Sequence, residues 1–298
     1  MKLYAPGYYK SFKCIADRCE HSCCIGWEID VDEDTLKKYN QCKDGYGAVV
    51  ASSISMTETP HFKLDKHDRC PHLNDQGLCN IITHLGEEYL CDICREHPRF
   101  YNFTSVAEVG IGLSCPEAAR IVLRSDDYTV MEEIGEILAA ADDLPFDARC
   151  HRSRIYEIIQ DSAESYTDAL KEIRCTYSAT SADDESWLEA LDSLEYLDDG
   201  HKALFAKYSS ELRPVESKMT AYLKRFLAYL LYRHCTEALD ESDFSVRLSF
   251  CLFCEQLLAS LICRTSAKNL QDVASLACII SEEIEYSEDN TLTLMRRA

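Results

Sequence analysis

With 298 residues and 46% apolar side chains, the chain can build one large domain or two modest ones around a real core, so metal or disulfides are not needed throughout. Its 31 basic and 52 acidic residues give a formal net charge of −21, which argues against nucleic acid or an anionic membrane as partner. The start, MKLYAPGYYKSF, has no apolar run of signal-peptide length, and the longest apolar stretch, 248–263, is broken by Glu255 and Gln256. A soluble, cytoplasmic protein with no membrane partner is expected, and in a reducing compartment 17 cysteines point to metal ligation before disulfides.

The cysteines divide the chain. Ten lie in residues 1–115 and seven in the rest. Residues 1–120 also hold five of the seven prolines and most of the glycines, which predicts a loop-rich lobe with brief helices. Beyond it, apolar residues recur at helical spacing over 121–141 and 154–173, with DDLPFD (142–147) as the turn between them. SADDESWLEALDSLEYL (181–197) opens on Ser and Asp and carries acids in its first turn, as a helix start does. The segments 219–239 and 245–265 are the most apolar and should pack centrally, whereas the tail from about 286 reads as frayed. The expected fold is mainly α: a cysteine-cluster lobe (1–120) packed on a C-terminal helical bundle (121–298).

Within the lobe the cysteines are patterned. Cys14, Cys19, Cys23 and Cys24 crowd eleven positions, followed by Cys70 and Cys79, by Cys91 and Cys94 two residues apart, and by Cys115. Thiolate sulfur suits zinc, copper(I) or iron-sulfur clusters, and close pairs place two ligands on one ion while distant pairs tie loops together. These nine, leaving out the isolated Cys42, are more than one four-ligand site uses. A metal that only holds the lobe together remains the simpler alternative. His61, His67 and His72 lie near Cys70 and could each replace a thiol. Cys251, Cys254 and Cys263 sit in an apolar segment and read as core.

Other candidates are weaker. In CDICREHPRFY (91–101), Pro98 tends to end any helix begun near Cys91. Arg95 and Arg99 flank that turn, where they could offset thiolate charge or hold a carboxylate, or simply pair with surface acids. Glu28, Asp30, Asp32, Glu33, Glu87 and Glu88 could form an acidic surface, and His84, His97 and Tyr101 could accept a proton. The pair Gly110 and Gly112 is a poor match to a dinucleotide-type turn, so a doubly wound cofactor fold is not expected.

The order of four early cysteines ending in Cys-Cys, then CPHL and a further Cys, then CREHPR, resembles the bacterial zinc- or iron-chelating cysteine-cluster proteins. The text around them is closer to one branch, the flagellin lysine N-methylases: KLYAPGYYKSFKCIADRCEHSCCIGWEIDVDEDT, LGEEYLCDICREHPRFY, VGIGLSCPEAARIVL and AYLLYRHC resemble that family's stretches, densely over 1–125 and thinly afterwards. The resemblance implies methyl transfer from S-adenosylmethionine to lysines of flagellin. It also implies a 4Fe-4S cluster or zinc on the nine cysteines, beside which Arg95 and Arg99, from their place at the turn, are the cofactor-binding candidates. The three-cysteine radical signature Cys-x3-Cys-x2-Cys is incomplete, because residue 26 is glycine. A non-catalytic metal carrier or sensor is the alternative.

Overall fold

A computed structural model describes residues 1–43, 45–139, 146–162, 165–180, 184–211 and 217–297. The protein is mainly helical and divides into two compact units, Lys13–Pro98 and a larger one made of Met1–Phe12 with Arg99–Ala298. The chain opens with β1 (Lys2–Pro6) of the larger unit. The smaller unit then contains α1 (Glu33–Gln41), α2 (Gly45–Ser52), β2 (Ile54–Met56), β3 (Pro60–Phe62), α3 (Asn80–Leu85) and α4 (Asp92–Glu96). The larger unit resumes with β4 (Arg99–Phe103), β5 (Ala107–Ile111), α5 (Pro116–Arg124) and β6 (Met131–Glu136). The helices α6 (Ala148–Asp161), α7 (Tyr166–Thr176), α8 (Asp184–Asp192), α9 (Asp199–Phe205), α10 (Ser217–His234), α11 (Glu241–Thr265), α12 (Leu270–Ile280) and α13 (Glu288–Met295) follow.

The boundary drawn from composition at residue 120 falls inside the larger unit. Strands β4 and β5 form a hairpin, β5 runs parallel to β1, and β1 pairs antiparallel with β6, giving the order β4-β5-β1-β6. Because β1 lies between β5 and β6, and α5 packs on α10 and α12, residues 1–12 and 99–124 belong with the helices. Strand β5 is buried along its whole length. It therefore carries one expensive residue, Glu108, whose two carboxylate oxygens take Arg152 at 2.7 and 2.8 Å with both side chains 4% exposed.

Helices α10 and α11 form the centre of the core. Phe226, Leu227, Leu230 and Leu231 of α10 and Phe250, Leu252, Leu257 and Leu261 of α11 are fully enclosed. Trp187 of α8 stacks on Phe253 at 3.7 Å. By length and composition α11 could cross a membrane; here most of its apolar window is buried among the other helices. Cys251 and Cys254 are core residues, as expected, whereas Cys263 is half-buried.

Three local expectations change. The helix expected over 121–141 ends at Arg124, and Met131–Glu136 is a strand, because β1 offers it a pairing partner from Lys2↔Glu136 to Pro6↔Met131. Ion pairs reinforce that choice, Lys2 to Glu133 at 2.8 Å and Lys10 to Glu132 at 2.6 Å. The helix expected over 154–173 is two, the second started by Ser165, whose hydroxyl accepts from the Asp168 amide. The tail is not frayed: α13 is capped by Ser287, and its buried Asn290 donates to the carbonyls of Glu195 and Glu283. The turn placed at 142–147 and the Ser181 helix start lie largely or wholly outside the described residues, and α8 is described from Asp184.

Gly110 has a packing reason rather than a cofactor-turn one. A Cβ there would overlap the Phe100 ring and lie 2.8 Å from Tyr232 Cε1. Gly110→Ala is expected to cost about 1–3 kcal/mol by overpacking. Urea unfolding would measure this, and an unchanged midpoint would show that the two rings yield freely.

Candidate functional site

The smaller unit has its own core, made of Ile29, Val31, Tyr39, Val50, Ile54, Phe62, Ile81 and two cysteines, Cys70 and Cys91. Cys24, Cys79 and Cys94 pack against it, half-buried. Thiols from three separate stretches thus meet over one apolar floor. Each stretch is tied down by backbone and side-chain bonds.

The first stretch is held to the second. Cys24 O accepts from the Cys70 amide at 2.8 Å, and the Gly26 amide reaches Asp68 O at 3.0 Å. Gly26 adopts φ +98°, a left-handed conformation that a side chain would strain. The second stretch closes as a loop, in which Asn74 Oδ1 accepts from the Gln76 and Leu78 amides. Arg69 donates to the carbonyls of Leu73 and Asn74 at 3.3 and 2.7 Å, and the Asn80 amide reaches His72 O at 2.7 Å. The loop's two ends are Cys70 and Cys79, the latter capping α3.

The third stretch is held by a carboxylate. Asp32 caps α1 through the Thr35 amide at 2.9 Å and takes the Asp92 amide at 2.8 Å. That fixes the start of α4, with Cys91 as its cap and Cys94 one turn on. Although burial alone would raise the Asp32 pKa, these amide bonds hold it below the usual carboxylate range. The helix ends at His97 before Pro98, as its sequence predicts.

The thiols feel one another. A hydrogen bond with Cys23 brings Cys24 down to about 7, with the Arg69 charge helping and burial opposing. A hydrogen bond with Cys94 likewise lowers Cys91 and, for the same reason, raises Cys94. Burial pushes Cys70 up to about 12 and also raises Cys79, with the charges of neighbouring cysteines acting in the same direction. Cys23, Cys24, Cys70, Cys79, Cys91 and Cys94 are therefore one electrostatically coupled set. Among the described residues, however, no group of three or more His, Cys, Asp or Glu side chains is arranged as a finished ion site.

The remaining sequence candidates have contacts of their own. Cys14 is exposed and its sulfur accepts from the Ala16 amide, while the Cys19 thiol donates to His21 O at 2.9 Å. Cys115 caps α5 in the larger unit. Arg95 pairs with Asp92 and Glu96 on α4. Arg99 belongs to the larger unit, where it donates to Tyr9 Oη at 3.0 Å. Neither ring nitrogen of His72 is open to a metal, since Nδ1 lies 3.0 Å from Tyr46 Oη and Nε2 2.8 Å from Ser53 Oγ. Burial lowers its pKa to about 4. His61 is held by Thr59 O at 2.9 Å and Glu28 at 3.4 Å, and His84 stacks on Tyr46 at 4.4 Å.

Sequence reasoning misses Arg69, Tyr46 and Ser53, which carry no pattern of their own, and it treats Asp32 only as a surface acid. It also misses a second polar cluster, in the larger unit. There Arg233 and His234 of α10 reach Glu285 Oε1 at 3.3 and 2.7 Å. Tyr229 Oη donates to the same carboxylate and accepts from the Leu113 amide and Arg233. The Arg233 guanidinium lies between the Phe100 and Tyr286 rings, 5.0 and 5.1 Å from their centroids. Phe100, Leu113 and the α10 residues Tyr229, Arg233 and His234, each from a stretch on which the family resemblance rests, thus meet around Glu285.

No family model matches the chain. Over 136 residues it is 28% identical to a protein described as flagellar biosynthetic protein FliU from Salmonella muenchen, covering 43% of this chain and 80% of that one. It is also 28% identical over 136 residues to proteins described as lysine-N-methylase from Salmonella typhimurium and Salmonella choleraesuis, again covering 43% of this chain. The chain spans only about a third of those two curated proteins (34%), to which it is a distant relative. No solved structure matches.

Proposed function

We propose that the chain is a lysine N-methyltransferase that takes its methyl group from S-adenosylmethionine and acts on flagellin, with a cysteine-held 4Fe-4S cluster or zinc as the required centre. The observation that carries the reading is the 28% identity over 136 residues to proteins named lysine-N-methylase and FliU. The gathered thiols support the metal half of it. Their chemistry fits a soft metal: five thiols, Cys24, Cys70, Cys79, Cys91 and Cys94, belong to or pack against one apolar core, and the exposed Cys23 is hydrogen-bonded to Cys24. Cys23, Cys24, Cys70, Cys79, Cys91 and Cys94 would hold the group, and for Cys14, Cys19 and Cys115 a ligand role rests on the family resemblance alone.

When bound, an iron-sulfur or zinc centre supplies Lewis acidity toward the donor molecule. The chain's own residues do the rest. The target lysine must lose its proton and align with the methyl group. Residues 13–98 carry 16 acids against nine bases, a balance that attracts a lysine-bearing surface. The exposed carboxylates of Glu28, Glu87, Glu88 and Asp92 lie within a few residues of cluster cysteines and suit that role.

The test is an anaerobic preparation assayed for metal and sulfide, then incubated with flagellin and isotopically labelled S-adenosylmethionine. Mass spectrometry should find added methyl mass on lysine. Cys23→Ser and Cys94→Ser should each lose metal and methyl transfer together, while Cys175→Ser, at an exposed site on α7, should keep both. Metal-replete, folded protein that neither binds S-adenosylmethionine nor modifies flagellin would overturn the reading in favour of a non-catalytic metal protein.

A further inference from the structure

His72 is 1% exposed, and its ring faces Phe62 edge-on at 4.9 Å. Tyr46 and Ser53 hold its two nitrogens from either end of α2, at 3.0 and 2.8 Å. Ser53 Oγ donates to Val50 O at 2.7 Å. A hydroxyl has one proton to give, so Ser53 must accept from His72, which makes Nε2 the protonated nitrogen and leaves Nδ1 to accept from Tyr46. The chain of bonds therefore runs from Tyr46 through His72 to Ser53 and stops at a backbone carbonyl. Its Ser53 end is closed by an acceptor that takes up no proton, so the arrangement points to a mechanical role.

The mechanics follow from the neighbouring backbone. His72 lies two residues past Cys70, and its carbonyl holds the Asn80 amide, the residue after Cys79, at 2.7 Å. One residue thus anchors both ends of the loop, its ring gripping α2 and its carbonyl gripping the start of α3. Leu73 and Cys79 face each other as an isolated bridge across that loop.

We infer that His72 is a positioning residue for the thiol cluster: clamped between Tyr46 and Ser53, it sets the separation of Cys70 and Cys79 and thereby how tightly, and through how many thiolates, the site holds metal. The inference rests on the metal reading above for its consequence, but its geometric content can be tested without metal.

The probe is cobalt(II), titrated anaerobically into the full chain, with the dissociation constant and the thiolate-to-cobalt charge-transfer absorbance as readouts. His72→Gln should weaken binding about tenfold or more, the scale on which residues supporting metal ligands act, and should lower the charge-transfer intensity per cobalt. Tyr46→Phe should move both in the same direction by less. The double variant should be no worse than His72→Gln alone, because the two residues act through one clamp. Leu36→Ala, which truncates a partly buried side chain of α1 and changes no residue of the clamp or of the floor beneath the thiols, controls for plain destabilisation: it should lower the thermal midpoint and leave the cobalt spectrum unchanged.

In metal-free protein, alkylation read peptide by peptide should show Cys70 and Cys79 of His72→Gln reacting about tenfold faster relative to Cys91 than in the parent, as expected of locally opened thiols. Parent-like affinity, spectrum and alkylation ratio in a folded His72→Gln would overturn the inference. If the parent chain binds no cobalt, the metal reading fails, and the alkylation ratio alone decides whether His72 sets the two thiols.

Discussion

Glu285→Gln is expected to destabilise the larger unit by about 3–5 kcal/mol, the cost of stranding a buried charge. The carboxylate is fully enclosed, while Arg233 and His234 are 14% and 10% exposed. Burial alone would raise the Glu285 pKa, yet the Arg233 charge and the His234 hydrogen bond bring it down to about 2. His234 itself is shifted downward by burial, so it serves Glu285 as a neutral donor and Arg233 alone balances the charge. Remove the carboxylate and the Arg233 guanidinium stays between two aromatic rings without a counter-ion. Tyr229 keeps an acceptor in the Gln amide oxygen and still accepts from the Leu113 amide, so the cost lies in the stranded charge.

Glu285 closes the turn Ser281–Glu285, whose wider π-type winding follows α12 and carries this side chain inward. The sign with pH follows from the depressed pKa: Glu285 contributes stability above its ordinary value near 4.5 and loses it as pH falls toward 2. Denaturant unfolding at pH 7 is the measurement. A Glu285→Gln loss below about 1 kcal/mol, the size of an ordinary neutral hydrogen bond, would show that the cluster is hydrated and not the buried ion pair described here.

The cluster also explains part of what was legible in the sequence. AYLLYRHC stands out because its Tyr229, Arg233 and His234 fall on one side of α10, at four- and five-residue separations, and their partner is a single carboxylate. The partner itself carries no signal, since Glu285 lies 52 residues beyond Arg233 among other acids. In the smaller unit, cysteine spacing confines the close pair Cys91 and Cys94, which is hydrogen-bonded, and so is Cys23 with Cys24, although adjacent side chains usually diverge. It says less about Cys14, whose sulfur turns to its own backbone, and it cannot see Arg69 or Ser53, whose roles exist only once the 70–79 loop has closed.

Strand β6 shows the opposite failure. Its apolar residues suit a helix, and only the unpaired edge of β1, more than a hundred residues away, makes a strand the better arrangement. The helical bundle itself was easier, because α10 and α11 are apolar enough to be central wherever the rest of the chain goes.

A second carboxylate in the same helical core should respond to pH in the opposite sense. Glu255, on α11 and 3% exposed, is raised by burial to about 7, with the Arg174 charge too weak to offset it. The folded protein therefore keeps this proton over the range in which the unfolded chain, with an ordinary value near 4.5, has lost it. Stability must fall as pH rises from 4.5 to about 7, by about 3 kcal/mol in total, and then level off.

Glu255→Gln imitates the protonated carboxyl at every pH, so it should match the parent near pH 4.5 and exceed it by about 3 kcal/mol at pH 8. Both carboxylates titrate across neighbouring ranges, and the difference between variant and parent isolates Glu255 because the Glu285 contribution is common to both. Urea unfolding of the two proteins at half-unit intervals from pH 4.5 to 8 is sufficient. Parallel curves across that range would mean that Glu255 is ionised in the folded state with its charge satisfied, and that Arg174 is a true ion-pair partner.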